Sequence, residues 1–325
     1  MPLDRRHFLG ALPLMAGALA CNRSGKRIIG VVPKGTTSLF WQSVHAGAIA
    51  ASQQFDVEVE WNGPTQETEY ARQIQIVDAM INRRIDGIVL SPTERTALVS
   101  VVERAAREGI PVTIFDSGID TENYVSYVAT NNTAAGELAA ETVSQLVGGA
   151  GKVALVKHAP GSDSTDSRER GFEAAVAKTH TGLEIVAEQY CMSDRAKALA
   201  VTEDMLTAHP DLDALFCSSE AATIGAARAL VSRGAAGKIK LVGFDASPSL
   251  QQDLRDGVID ALVVQDPFSI GYIGVETIVD KLDGKTPEKH IDSPARVVRA
   301  ADLDDPEVKN LLNPDLGKYI QPVGA

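Results

Sequence analysis

An α/β fold of two similar lobes, each a parallel sheet covered by helices on both faces, follows from three features of the sequence. Apolar runs of four or five residues without polar alternation recur along the chain, separated by helix-length segments. That is the pattern of strands buried on both faces. Particular words return in the second half: Asp86-Gly87-Ile88-Val89-Leu90-Ser91 resembles Asp213-Ala214-Leu215-Phe216-Cys217-Ser218, and Pro111-Val112-Thr113-Ile114-Phe115-Asp116 resembles Ile239-Lys240-Leu241-Val242-Gly243-Phe244-Asp245. The length, about 305 residues without an N-terminal leader, exceeds the size at which one core usually keeps growing, so two domains are the default.

The leader comes first in the chain. Arg5-Arg6-His7-Phe8-Leu9 opens an apolar run from Phe8 to Ala20 that is interrupted by Gly10, Pro13 and Gly17 and stops at Cys21. It is too short and broken for a membrane span needing ~20 residues, and it reads as an export signal over residues 1–21 with twin arginines. Ala18 and Ala20 before Cys21 fit a lipoprotein cleavage site, with Leu19 one place late; the thiol of Cys21 would then be acylated and become the new N-terminus. Ordinary cleavage near the same point is the alternative. Either way the expected location is the periplasm or the outer face of the cell membrane, where ATP, NAD(P)H and chromosomal DNA are absent. The formal net charge of −12 becomes −13 when Asp4, Arg5 and Arg6 leave with the signal, and an acidic surface repels phosphate backbones.

The elements follow in order. Strands are expected at 28–32, 57–61, 87–90 and 112–115, with helices over about 40–55, 67–82 and 97–108 between them. The second half repeats the plan with strands at 153–156, 185–188, 214–217 and 240–244 and helices over 168–178, 197–208 and 222–232, and a further helix begins near Pro248. Cys191 and Cys217 sit beside or inside apolar runs without metal or redox spacing and read as buried free thiols; whether they face each other is left open. In each half a strand ends in an aspartate, Asp116 or Asp245. Ligands of open parallel sheets bind beyond the carboxyl ends of the strands, so facing lobes would bring these carboxylates together across a cleft.

Enzyme signatures are missing: there is no Gly-x-Ser-x-Gly, His-Glu-x-x-His or Gly-x-x-x-x-Gly-Lys-Ser/Thr. The nearest approach, Gly148-Gly149-Ala150-Gly151-Lys152, has Val153 where a hydroxyl is needed and reads as a turn entering a strand. The six histidines show no ligand spacing; only His158, just past a strand end, falls near the cleft.

Five motifs occur in order: Val31-Val32-Pro33-Lys34-Gly35-Thr36-Thr37-Ser38-Leu39-Phe40-Trp41, Phe115-Asp116, Arg168-Glu169-Arg170-Gly171-Phe172, Gly243-Phe244-Asp245 and Val264-Gln265-Asp266-Pro267. Together they resemble type I periplasmic substrate-binding proteins of the ribose and galactose cluster over about residues 27–298. The resemblance implies two Rossmann-like lobes joined by a three-strand hinge, with lobe one at 27–130 plus 265–292 and lobe two at 131–264 plus 293–325. It implies a monomer without cofactor, closing on a small sugar or polyol and delivering it to an inner-membrane ABC permease, with a sensor kinase or chemoreceptor as the alternative partner. The tail after Asp302 is expected on lobe two. Repressors of the lactose-repressor type share such a fold, but only six residues separate Cys21 from Ile28, which leaves no room for a helix-turn-helix module.

A sugar ring presents vicinal hydroxyls and apolar C–H faces. Carboxylates accept pairs of hydroxyl hydrogens and a guanidinium donates a fork, each bond charge-assisted. The resemblance therefore assigns Asp116 and Asp245 as hydroxyl acceptors, Arg168 rather than Arg170 as forked donor, Gln265 as a mixed partner near the hinge, Ser219 where relatives carry Asn, and Phe40 and Trp41 as aromatic walls. Each has a duller reading: Asp245 as the cap of the helix near Pro248, Asp116 as a turn residue, Arg168 in a solvated pair with Glu169 or Asp166, Gln265 on hinge backbone, and one of Phe40 and Trp41 in the core. Two departures stand out. Ser117 occupies the place of an arginine of ribose binders, and the region of Ser193 lacks an expected aromatic. Lys34, either a solvated loop lysine or a ligand group with Asp116 and Asp166, resembles binders of a furanosyl quorum signal, which with inositols is the alternative ligand class.

Overall fold

The structure is a computed structural model that describes residues 25–320; the export signal and Cys21 lie outside the described residues. The first sheet uses β1 (Ile28–Val32), β2 (Glu58–Trp61), β3 (Gly87–Leu90), β4 (Val112–Phe115) and β5 (Tyr127–Ala129), connected by α1 (Leu39–Phe55), α2 (Tyr70–Asn82) and α3 (Val99–Arg107). The chain then continues through α4 (Asn132–Leu146), β6 (Gly151–Lys157), α5 (Asp163–Lys178), β7 (Leu183–Tyr190), α6 (Arg195–Ala208), β8 (Ala214–Cys217), α7 (Glu220–Ser232), β9 (Lys240–Phe244), α8 (Pro248–Arg255) and β10 (Ala261–Val264). It ends through α9 (Pro267–Leu282), β11 (His290–Asp292), β12 (Arg296–Val298) and α10 (Pro306–Leu312).

Two six-stranded sheets result, in the orders β11-β5-β4-β3-β1-β2 and β12-β10-β9-β8-β6-β7. All pairings are parallel except β10 with β12, which is antiparallel because β12 returns along the sheet edge directly from the neighbouring lobe. Every residue of β3, β4, β8 and β10 is buried, as strands sandwiched between helical layers must be. The chain passes between the sheets at 130–131, 265–266 and 293–295. The first and third passages are tied together, since Asp292 accepts from the Asn131 N–H at 2.9 Å and Ser293 N–H donates to the Ala129 carbonyl at 3.0 Å.

Several boundaries depart from the sequence pattern. The α2 helix begins at Tyr70, not 67, because Gln66–Glu69 forms a turn closed by Gln66 N–H donating to the Glu69 carboxylate at 2.8 Å. The α5 helix begins at Asp163, five residues before 168; Asp163 and Asp166 occupy its first turn, where carboxylates favour the helix dipole. Cys191 and Cys217 are free and buried. The tail does not stay on lobe two as expected. Val308 and Leu312 pack into the core beside α7 and α8, but the 3₁₀ turn at Leu316–Lys318 then carries Tyr319 against Phe268 of α9, ring centroids 5.5 Å apart. Tyr319, half-buried, thus rests on the other lobe, next to the second crossing segment.

Glycine sets one close approach that matters for the site. A Cβ at Gly136 on α4 would lie 2.0 Å from the Arg168 carbonyl of α5, so the two helices meet backbone to backbone under Arg168. Gly136→Ala is expected to destabilise the protein by ~1–3 kcal/mol through overpacking, read as a lower urea midpoint or a Tm fall of several degrees. An unchanged transition would mean that α4 and α5 separate without cost.

Candidate functional site

Asp116 and Asp245 each follow the last residue of a strand, β4 and β9, and each adopts a left-handed backbone, φ 58° and 65°. Aspartate is among the few non-glycine residues that tolerate this region, and such strain collects at functional sites. Both carboxylates line one cavity of about 500 Å³ between the sheets, together with Lys34, Phe40, Trp41, Arg168, Ser219 and Gln265, so all eight residues singled out for ligand binding are brought together. The N-caps of α1, α6 and α7, which are Ser38, Asp194 and Ser219, also border it, so three helix N-termini converge on the cavity.

On the lobe-two side Arg168 is buried and held from three directions. Its Nε donates to Asn132 Oδ1 at 2.8 Å, Nη1 donates to the Ser218 carbonyl at 3.0 Å, and the guanidinium lies 3.7 Å over the Phe244 ring. Nη2 is left for the cavity. No solvated pair with Glu169 or Asp166 forms: Glu169 accepts from His158 N–H at 3.0 Å and from the Ser218 hydroxyl at 2.7 Å, and Asp166 accepts from Gly161 N–H at 3.1 Å outside the cavity lining. Asp245 does not cap α8; Ser247 does, accepting from Leu250 N–H. Asp245 instead accepts from Gln265 Nε2 at 2.7 Å, and Gln265 Oε1 has no hydrogen-bond partner. Gln265 is thus turned toward the site, not toward hinge backbone. Burial pushes the Asp245 carboxyl up, opposed by nearby Arg168. Ser219 spends its hydroxyl capping α7 while bordering the cavity.

On the lobe-one side Lys34 is buried, not solvated. Its Nζ is 3.1 Å from Asp116 Oδ2 and donates to Ser164 Oγ at 3.0 Å and Ser162 Oγ at 3.3 Å, both on the opposite lobe. Asp116 also accepts from the Ser91 hydroxyl at 2.9 Å. Ser117, in the place of the ribose binders' arginine, accepts from Ser164 N–H at 3.2 Å across the lobes, and Gly118 N–H donates to Asp163 at 3.2 Å. The lobes are therefore closed on one another. Phe40 and Trp41 both border the cavity although they are adjacent on α1; Trp41 also packs edge-on against Phe115, so it serves cavity and core at once.

Two cavity residues, and one that stands behind the cavity, escaped the sequence reading. Glu67, in the turn before α2, accepts from Trp41 Nε1 at 2.9 Å; Glu220, at the start of α7, meets Arg195 at 3.2 Å; Asn132 holds Arg168 from below. Burial pushes the carboxyl of Glu220 up to about 7 and raises that of Glu67, the latter eased by Lys34. A carboxylate three residues before a helix and an asparagine just inside one carry no local signal of this role. His158, which the sequence did mark, lies in the cavity wall with burial, Lys34 and Arg168 pulling its imidazole down to about 3, so it is neutral. Its 3.5 Å approach to Glu67 is not an ion pair.

Two sheet lobes, crossed three times by the chain and closed over a cavity of buried charged side chains, define a hinged solute-binding protein. The chain belongs to the periplasmic binding protein family, whose domain its sequence matches over residues 29–286. Among its relatives are the ribose import binding protein of Bacillus subtilis, 30% identical over 71% of this chain and 74% of that one, and the D-allose-binding periplasmic protein of Escherichia coli, 29% identical over 77% and 83%. Its fold is similar to a carbohydrate transporter solute-binding protein from Agrobacterium radiobacter in complex with D-arabinose (TM-score 0.86, 32% identity, covering 90% of this chain and 100% of that one). It is likewise similar to an ABC transporter solute-binding protein from Agrobacterium vitis with bound D-fucose (0.85, 38%, 88% and 100%).

Glu169 gives the site a pH signature. Burial pushes its carboxyl up to about 7 from an ordinary value of 4.5, so folding favours the protonated form. That contribution is complete below about pH 4.5 and is lost as pH rises to about 7. Glu169→Gln mimics the protonated acid and removes the dependence. Between pH 5 and 8 the wild type should lose about 1–3 kcal/mol relative to this variant in urea unfolding; parallel curves would contradict a raised Glu169.

Proposed function

We propose that this protein captures a monosaccharide or polyol in the periplasm and delivers it to an ABC permease of the inner membrane, tethered there by acylated Cys21 and acting as a monomer. Residues 27–130 with 265–292 move as one lobe and residues 131–264 with 293–325 as the other, about the three crossing segments. The observation that carries this reading is the alternation of buried carboxylates and cations, Lys34, Asp116, Arg168 and Asp245, around a single cavity bounded by both lobes. Only the closed form lets a small ligand touch both sets, so ligand populates closure.

The uncommitted buried atoms favour neutral sugars. Gln265 Oε1 and Glu220 Oε2 are acceptors without partners, and Asp116 and Asp245 add carboxylate oxygens, whereas the free donors are Arg168 Nη2 and the single ring N–H of His158. A sugar acid would set a further carboxylate against these, while hydroxyls can donate to all of them. The furanosyl-signal alternative loses one of its three supports, since Asp166 bonds Gly161 instead of facing the cavity.

The test is a thermal-shift screen of residues 22–325 against pentoses, hexoses, polyols, inositols, a uronic acid and the furanosyl signal, with calorimetry on any hit. Ligand at ~1,000 times Kd should stabilise by about 4 kcal/mol. A response to sugars and none to the uronate is expected; a response to the furanosyl signal or inositols alone would replace the sugar reading. Asp245→Ala should leave folding intact and weaken binding of the hit by ~1.5–3 kcal/mol, the size of a charge-assisted hydrogen bond. Unchanged affinity would remove Asp245 from the site.

A further inference from the structure

Glu67 and His158 face each other from opposite lobes, 3.5 Å apart between Glu67 Oε2 and His158 Nε2. His158 is 2% exposed, and neither ring nitrogen has a hydrogen-bond partner. A buried imidazole with both nitrogens unmet is costly, and native interiors leave few such groups without a reason. Apart from the long 3.5 Å approach of Glu67 Oε2, the fold brings no polar partner to the ring: the backbone N–H of His158 goes to Glu169 and its carbonyl faces the Cys191 thiol, so the main chain anchors the residue while the ring stands unbonded in the cavity wall.

Glu67 is arranged in a complementary way. Trp41 Nε1 occupies Oε1 and fixes the carboxyl against the aromatic wall, which leaves Oε2 as the atom nearest the ring of His158. A carboxylate oxygen can only accept, and a neutral imidazole offers one N–H and one lone pair. A hydroxyl is the small group that satisfies both, donating its hydrogen to one and accepting from the other.

We propose that Glu67 and His158 form a hydroxyl-reading pair, one residue from each lobe, that decides which sugar this cavity accepts, with one ligand hydroxyl donating to Glu67 Oε2 and accepting from the His158 ring N–H. The inference rests on the sugar-binding reading above and goes beyond it by assigning specificity to two residues outside the Lys34, Asp116, Arg168, Asp245 set. Because the two side chains approach each other only when the lobes are closed, the pair checks the ligand at closure. A stereoisomer that places hydrogen where the hydroxyl belongs leaves both groups unmet, and sites built to bond a hydroxyl reject ligands lacking it strongly.

The experiment uses D-arabinose, D-fucose, D-ribose and D-allose with the wild type, Glu67→Gln and His158→Asn, each variant first checked for an unaltered ligand-free melting transition. Calorimetry then compares the tightest-binding sugar with each of its monodeoxy analogues. Each variant should weaken the parent sugar by ~10- to 100-fold. One and the same deoxy analogue should bind wild type and both variants nearly equally, because the hydroxyl they read is already gone. Equal weakening of every analogue would assign both residues a structural role and overturn the inference, as would undiminished binding of the parent sugar. If wild type bound none of the four sugars while responding to another class of solute, the sugar reading itself would fall and this pair with it.

Discussion

The buried ammonium of Lys34 is the interaction on which the closed arrangement depends. An unpaired charge inside a protein is too costly to persist, and here the partners come from two places: Asp116 on its own lobe and the hydroxyls of Ser162 and Ser164 on the other. When the lobes part, Lys34 keeps Asp116 and exchanges two hydroxyls for water. Exchanges of this kind are nearly balanced, since a hydrogen bond made inside the protein replaces one made to solvent. The open and closed forms can therefore lie close in free energy, and a solute that touches both lobes tips the balance by its own contacts.

The two aspartates show how the duplicated plan becomes a binding site. Phe115-Asp116 and Phe244-Asp245 are the same strand ending used twice, with the phenylalanine buried in the sheet and the aspartate turned into the left-handed region. An extended backbone would have carried on along the sheet; the change of hand turns the chain at the strand end, where each carboxylate borders the cavity. The lobes then complete the motif differently. Lobe one sets Asp116 against an ammonium on the first strand-to-helix loop, and lobe two sets Asp245 beside a guanidinium locked by Asn132 and the Phe244 ring. An ammonium is a point charge that tolerates rearrangement, whereas a stacked, doubly bonded guanidinium is rigid. Lobe two is thus the fixed template, and lobe one carries the partner that can re-form its bonds on closure.

The sheets were legible in the sequence because four- and five-residue apolar runs with aspartates at their ends have few other interpretations. The strands at 127–129, 261–264, 290–292 and 296–298 were not: three-residue strands bury too little to leave a pattern, those at 290–292 and 296–298 lie on the sheet edges, and Ala261–Val264 runs without a break into the crossing segment at 265–266. That Asp116, Asp245, Arg168 and Gln265 would meet at one cavity was legible because they sit in short words next to strand ends or at a helix start. The place of Glu67 was not, since a glutamate before Tyr70 reads as the first turn of a helix until the turn at Gln66–Glu69 is seen to hold it out toward Trp41. Asn132 is hidden for a similar reason, its partner being 36 residues away in the chain.

Gln265 connects the site to the motion. It stands in the second crossing segment, between β10 and α9, so any torque between the lobes passes through its backbone. Its amide donates to Asp245 while Oε1 is buried without a partner in a residue that lines the cavity. A ligand hydroxyl bonded to that oxygen would fix the side chain at both ends and hold the hinge in the closed setting. The tail lies against the same region, with Leu311 and Leu312 beside Val264, Gln265 and Pro267 and with Tyr319 on Phe268. Displacement during a rotation is smallest near its axis, so a segment spanning both lobes there can remain packed throughout opening, while the same segment placed at the cavity mouth would have to be torn away in each cycle.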